Sequence, residues 1–407
     1  MAADRFTLRV GTSDDLPAIL QVVAESFNED VEDFAEGYDR RVFEPERSLV
    51  TVADGTVAGT VGVYTRELSV PGAVVPAGHV TMVGVHPTFR RQGVLTRMMT
   101  RQLADIRAAG EPIAVLWASE GQIYQRYGYG MASRRQSFEI QREVRMRDAP
   151  PLAGLRAGTP LEIMPELQKV YDEVRAERVG WSSRDGGWWG RILSDPARGR
   201  GGATALHATL REGPDGVDGY ALWRARSEWD ATGPKGEVVV REVVALRPEA
   251  YRVLWHHLLT VDLTRSTSMW LGAVDEPLLY LVNEPRRLAA RVGDGLWIRP
   301  VDVPAALAAR RYAAPVDVVI AVQDPLLPAN TGDWHLVGDP DGARCTRADR
   351  PAQLRCGPAE LGAAYLGDAS LTTLAATGRV TELVPGTLAR AARAFGWHRA
   401  ASATEIF

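Results

Sequence analysis

Arg90-Arg91-Gln92-Gly93 places two guanidinium groups, an amide and a glycine in consecutive positions. Ahead of them, Val80-Thr81-Met82-Val83-Gly84-Val85 is apolar and rich in β-branched residues, and His86-Pro87 marks a turn. Behind them, Leu95, Met98, Met99, Leu103 and Ile106 recur at three- and four-residue steps, the period of one buried helical face. A strand feeding a helix through such a loop aims several backbone N–H groups at one spot. The helix dipole and the arginine pair add positive charge there. The chemistry this suits is the holding of a phosphate or pyrophosphate; the plain alternative is a solvated basic pair on a surface loop. Neither G-x-x-x-x-G-K-[ST] nor G-x-G-x-x-G is present, which sets aside the triphosphatase and dinucleotide loops.

A second chemical feature is acidic: Glu29, Asp30, Glu32, Asp33, Glu36 and Asp39 follow one another closely. The run reads either as the solvated face of a helix or as a carboxylate wall that attracts a cation. A third is the cluster Tyr124, Tyr127 and Tyr129. Packing alone explains three neighbouring aromatics.

The elements that must position these residues come from a chain of 407 residues, long enough for about two to three domains. Hydrophobic content of 45% and charged content of 24% are those of a soluble globular protein. The net charge of −4 argues against a nucleic-acid partner. The start of the chain has no apolar signal core and no span reaches transmembrane length, so a cytoplasmic protein without a membrane partner is expected. Cys345 and Cys356 have no metal spacing around them and read as free thiols. The seven histidines show no metal-ligand spacing, and the neighbours His256 and His257 cannot share a helix face. With no G-x-S-x-G elbow, a serine hydrolase is set aside.

In order, residues 7–10 read as a strand, and Thr12 or Ser13 caps a helix through Leu16, Ile19, Leu20, Val23 and Phe27. Residues 48–53 and 56–64 form a hairpin about Asp54-Gly55, a type I′ dipeptide. A second excursion about Pro71-Gly72 leads into the central strand. Residues 113–118 are apolar throughout, as in a strand buried on both faces, and a closing strand is expected around Ser137 to Ile140. Pro150-Pro151 and the glycines beyond suggest a linker. Residues 238–248 then run from an apolar strand into a helix through Tyr251, Leu254, Trp255 and Leu258, echoing the first strand–helix unit. Here Glu249-Ala250-Tyr251-Arg252 stands where close backbone approach to a pyrophosphate would need glycine. A third region opens at Asp294-Gly295-Leu296-Trp297, with a hairpin-like pair at 316–322 and 331–337.

The segment 90–95 resembles the R/Q-x-x-G-x-G/A signature of the GCN5-related N-acetyltransferases, with Leu95 in place of the last small residue. Tyr124-x-x-x-Gly128-Tyr129 is similar to that family's Y-x-x-x-G-F element. A narrower resemblance is to the Eis (enhanced intracellular survival) family. It is carried by 83–85, 86–93, Ala118-Ser119-Glu120-Gly121, Ile123-Tyr124, Gly219-Tyr220-Ala221-Leu222, 294–297 and Val303-Pro304-Ala305-Ala306-Leu307. The fold this implies is α/β (α+β). A catalytic acetyltransferase domain (1–145) is followed by a degenerate one (146–293) and a domain like the sterol carrier proteins (294–407).

The resemblance implies an acetyl-CoA-dependent N-acetyltransferase acting by direct transfer on amines of polycations such as aminoglycosides, with no metal and with a hexameric assembly. It assigns the co-substrate to Val83, Gly84, Val85, Arg90, Arg91, Gln92, Gly93, Val94, Leu95, Thr96, Ser119 and Glu120. The general acid it implies is Tyr124, and the base is the α-carboxylate of Phe407. The acceptor contacts it implies are Glu29, Met82 and Trp117, with Glu405 offsetting the apolar Ile406. A strand N–H near Val83 suits a developing oxyanion. For Phe407 the residues alone suggest only a frayed end. Other readings are acetylation of protein lysine or a natural polyamine by the same machinery, and an apolar-ligand carrier based on the last domain.

Overall fold

The computed structural model describes residues 5–32 and 40–407; Asp33, Glu36 and Asp39 of the acidic run lie outside them. The chain separates into two compact units, residues 1–133 with 295–398 and Phe407, and residues 134–294 with 399–406.

The first unit begins with β1 (Phe6–Val10), α1 (Leu16–Phe27), β2 (Leu49–Ala53), β3 (Thr56–Val70) and β4 (Ala73–Val85). It continues through α2 (Val94–Ala108), β5 (Ile113–Trp117), α3 (Gly121–Gln125) and β6 (Gly130–Met131). Thr12 starts the first helical segment, its N–H and hydroxyl donating to the Asp15 carboxylate at 2.8 and 2.9 Å. Asp54 and Gly55 carry φ of 50° and 79°, the two positive values a type I′ hairpin requires. The core packs α2 against the sheet through Val94, Met98, Met99, Leu103 and Ile106.

One strand is not where its neighbours in sequence suggest. The sheet order is β1-β2-β3-β4-β5, then β16 (Leu296–Pro300), then β6, with Leu296 opposite Trp117 and Trp297 opposite Met131. The segment Ser137 to Ile140, expected to close this sheet, lies in β7 (Arg134–Gln141), which pairs in the second unit instead. Its alternating burial marks it as a strand with one covered face. Alternation names a strand but not its partner, so the exchange of β7 for β16 has no local signature.

The C-terminal part of this unit has β17 (Val316–Val322), β18 (Gly332–Gly338), β19 (Ala343–Arg347), β20 (Leu354–Cys356) and β21 (Thr381–Glu382), ordered β19-β18-β17-β20-β21. It is joined to the first sheet by a buried ion pair. Arg299 on β16 donates to both oxygens of Asp324 at 2.8 and 2.6 Å, and its Nε donates to the Tyr127 carbonyl at 2.8 Å. Asp324 also accepts from Asn330 at 2.9 Å. Arg310, fully buried in this part, donates to the carbonyls of Ala364, Tyr365 and Phe395.

The second unit contains β8 (Leu155–Gly158), β9 (His207–Gly213), β10 (Gly216–Arg226), the short ribbon β11 (Trp229–Asp230) and β12 (Gly233–Pro234), β13 (Gly236–Ala245), β14 (Thr264–Gly272) and β15 (Arg291–Asp294). Its sheet runs β15-β7-β14-β13-β10-β9-β8. The helix joining β13 to β14, Pro248–Leu259, buries Leu254, Trp255 and Leu258 as its period predicts. Among the described residues no helix is long and apolar enough to cross a membrane.

Asp324→Ala would leave Arg299 charged and unpaired inside the core. The expected cost is about 3–5 kcal/mol, read as a lower midpoint in denaturant unfolding. A midpoint equal to that of the wild type would contradict this role for the pair.

Candidate active site

The site is organised by the way β4 leaves its neighbours. Against β3, Gly62 faces Thr81 and Thr60 faces Gly84, so Met82 and Val83 together oppose Val61: a β-bulge. Met82 sits at φ 48°, a left-handed conformation costing a residue with a Cβ about 1–2 kcal/mol. On its other edge β4 pairs β5 only at Ala77, Gly78 and His79, opposite Ile113, Ala114 and Val115. Beyond that level the two parallel strands diverge, and β5 continues against β16 alone. The residues Val83 to Val85 therefore line a wedge whose wall is main chain. Gly84 keeps α1 close: a Cβ there would stand 3.0 Å from the Ser26 hydroxyl oxygen.

The loop after β4 ends in a cradle. Arg91 has φ 61° and Gly93 φ 83°, so alternate residues turn the backbone N–H groups inward, as an anion nest needs. Gly93 is the N-cap of α2 and provides no side-chain cap, leaving the N–H groups of the first turn, from Val94 to Thr96, without one. A Cβ at Gly93 would meet nothing within 4 Å, so the space before the helix is open. Arg91 has no side-chain partner among the described residues. Arg90 is different: its Nε donates to the Val85 carbonyl at 3.2 Å and its Nη2 to the Ser26 carbonyl at 3.4 Å. Those bonds make Arg90 a pin between the loop and α1, where a phosphate contact was expected. Gln92 bonds the Thr88 carbonyl at 3.2 Å. Leu95, the departure from the signature, is half-buried against the core of the sheet, which takes its side chain out of the cradle.

Across the wedge, α3 starts at Glu120, with Ser119 and Glu120 both exposed. The helix start rests on Trp297 of β16, whose ring lies 2.8 Å from where a Cβ of Gly121 would be. Glu120 accepts from Gln122 at 3.1 Å. The three tyrosines occupy distinct places. Tyr127 shares a hydrogen bond with Thr96 at 3.2 Å. Tyr129 is fully buried, and its hydroxyl has no hydrogen-bond partner among the described residues. Burial pushes the Tyr124 phenol up to about 12, opposed in part by its hydrogen bond with Ser119. That phenol stays protonated through the neutral range.

Phe407 is buried, its ring 4.6 Å from that of His79. His79 lies on β4 at the last level paired with β5, fully buried, with Nδ1 2.9 Å from the Ala77 carbonyl. A carbonyl only accepts, so Nδ1 carries a proton. The sequence offers no sign of this contact: a histidine within a strand carries no information about a residue more than three hundred positions away.

The four expected acceptor contacts lie on separate elements. Glu29 is exposed just past the left-handed cap Asn28 of α1, next to the exposed Asp30 and Glu32. Trp117 is half-buried at the end of β5. Met82 is buried, with its terminal methyl 2.6 Å from where a Cβ of Gly62 would stand; it fills the bulge against β3. The last of the four is Glu405. It belongs to the second unit, buried, and accepts from Arg184 at 2.7 Å. The same guanidinium also binds Glu242, so the Glu405 carboxylate is part of a buried cluster. Among the described residues no group of His, Cys, Asp and Glu is arranged to hold a metal ion.

Comparison with known proteins gives three matches along the chain. Residues 7–132 and 180–299 each match an acetyltransferase (GNAT) domain, and residues 303–403 match a sterol carrier protein domain. An uncharacterized N-acetyltransferase of Streptomyces avermitilis is 42% identical over 356 residues, covering 86% of this chain and 87% of that one. The N-acetyltransferase Eis of Mycobacterium tuberculosis is 33% identical over 390 residues, 92% of each. The crystal structure of Eis1 from Mycobacterium abscessus superposes with a TM-score of 0.82 at 31% identity, covering 98% of this chain and all of that one.

Gly93→Ala tests the cradle. The positive φ makes the alanine about 1 kcal/mol less stable, and its methyl projects into the open space before α2. Thermal unfolding should shift by only a few degrees, while the affinity for coenzyme A, by calorimetric titration, should fall at least about tenfold. Unchanged affinity would place the anion elsewhere.

Proposed function

The chain belongs to the Eis family of GCN5-related N-acetyltransferases, and on that premise we propose that it acetylates amines of polycationic small molecules, aminoglycosides among them, with Tyr124 as proton donor and the α-carboxylate of Phe407 as base. The observation that carries the reading is the divergence of β4 from β5 beside an open, glycine-capped helix start. The residues there fit acetyl-CoA: a main-chain edge for an amide-bearing arm, and a nest of N–H groups for its pyrophosphate. Acetyl-CoA, when bound, supplies the activated acetyl group as a thioester.

The rest is done by this chain's own groups. A carboxylate at Phe407, or a water that it orders, takes the proton that an ammonium must lose before it can attack. Backbone N–H groups at the bulge of β4 stabilise negative charge on the acetyl oxygen. Tyr124 is supported as donor because burial holds its phenol neutral while Ser119 orients it. A donor that loses its own proton only near pH 12 imposes no alkaline limit on the rate below about pH 10.

A polycationic acceptor is supported by the exposed carboxylates Glu29, Asp30 and Glu32 beyond α1. These serve a natural polyamine or a lysine side chain equally well. The apolar-carrier reading draws no support from the core of the C-terminal part, where the interior position of Arg310 is occupied by a guanidinium bonded to four carbonyls. The same premise extends to a homo-hexamer in the cytoplasm, the first of which light scattering would measure.

The test is release of free thiol from acetyl-CoA against aminoglycosides, polyamines and lysine peptides. Tyr124→Phe keeps the ring and removes the proton, so kcat should fall about 10²–10⁴-fold with the donor KM little changed. A few residues added after Phe407 should abolish turnover. Full activity in the extended protein would assign the base elsewhere, and preference for lysine peptides would replace the acceptor class.

A further inference from the structure

The second unit repeats the device of the first sheet. β13 and β14 run parallel from Gly236 opposite Thr264 to Val240 opposite Met269 and then part, although β13 continues to Ala245 and β14 to Gly272. At the same level the β10–β13 register slips, with Leu222 facing Glu242 and Trp223 facing Val240, which leaves Arg241 bulged. The helix that follows does not complete an anion site. It begins at Arg247, with Pro248 and Glu249 in its first turn, where a carboxylate repels a phosphate.

Beside this gap the chain's own tail is held, reaching β13 through Arg184 and Glu242. The Ala400 N–H donates to Asp275, just past β14, at 2.9 Å. The Ser402 N–H donates to the Val179 carbonyl at 3.0 Å, and the Trp181 indole N–H to the Ser402 hydroxyl at 3.2 Å. Arg184 then donates through Nε to Glu405 at 2.7 Å and through its other nitrogens to both oxygens of Glu242 at 3.1 and 2.9 Å. Glu242 is on β13, immediately beyond the bulge, and also accepts from the Tyr220 hydroxyl at 2.8 Å. The Arg184 guanidinium lies 4.0 Å over the Tyr171 ring and is fully buried. Backbone approach is close as well. Gly180 has φ +92°, and a Cβ there would stand 2.2 Å from the Ser402 carbonyl oxygen, so a side chain would displace the tail.

We propose that the strand divergence of the second sheet is a binding cleft whose ligand is the tail, residues 400–406, held there by Arg184 bridging Glu242 and Glu405. Arg184 bonds a carboxylate of the sheet and a carboxylate of the tail at once, and these charge-assisted bonds tie the tail to β13. The consequence for catalysis rests on the proposed role of Phe407: Arg184 and Glu405 are positioning residues that fix the chain to within two positions of it.

The experiment uses the full chain with Phe407 as its last residue. Carboxypeptidase A is added to the folded protein, and loss of Phe407 is followed by intact mass. The wild type should keep Phe407. Glu405→Ala, which leaves Arg184 paired with Glu242, should release it at least about tenfold faster with unchanged circular dichroism. Glu405→Gln, which keeps a neutral bond to Arg184, should fall between them and serves if the alanine variant does not fold. Equal rates in all three, or ready loss from the wild type, would overturn the anchoring. In the amine assay kcat should follow the same order while coenzyme A affinity stays constant. Faster release of Phe407 with unaltered kcat would leave the anchor standing and remove Phe407 as the base.

Discussion

A strand edge can hydrogen-bond to a neighbouring strand or to a ligand, but not to both along the same residues. The first sheet resolves this by ending the β4–β5 ladder at His79 and Val115, with the bulge at Met82 and Val83 just beyond. An open main-chain edge inside a protein is unstable unless something else holds both strands. Here β3 holds β4 along nearly its whole length, and β16 holds β5 where β4 has left it. The late arrival of β16 in the sequence is thus part of the site: it covers the free edge of β5, sets Trp297 beneath the start of α3, and carries Arg299 into its buried pair with Asp324.

The same constraint recurs in the second sheet and receives a different answer. Its strands part beyond Val240 and Met269, yet no glycine caps the following helix, and Glu249 occupies the first turn. Open main chain is matched in the first unit by an open cradle, and in the second by residues of the chain's own tail. One topology therefore ends in two different junctions, a glycine-capped helix start in the first unit and an arginine-capped one with Glu249 in its first turn in the second, and on the proposed reading that difference separates an exchangeable ligand from a fixed one.

Much of this was legible in the sequence because it is local. The phosphate-type loop, the Asp54-Gly55 hairpin, the amphipathic α2 and the missing glycine of the second junction all depend on residues within one or two turns of each other. The domain types followed from resemblance along the whole chain. What could not be read depends on distant pairing. β7 and β16 are both sound strands, and no alternation of side chains says which sheet either will join. Glu405 looked like a substitute for an acidic neighbour of the last residue, but its partner Arg184 lies more than two hundred positions away. Arg90 and Arg91 are identical in sequence terms, and only the left-handed turn at Arg91 separates the pinned guanidinium from the unpartnered one.

On the proposed reading, two related clefts share one chain and only the first is open to a diffusible donor. The most direct measure of this is the stoichiometry of acetyl-CoA binding at equilibrium, by calorimetry on the full-length protein. One molecule should bind per chain. Two would mean that the second cleft is not held by the tail, and none would mean that the wedge between β4 and β5 is not a donor site.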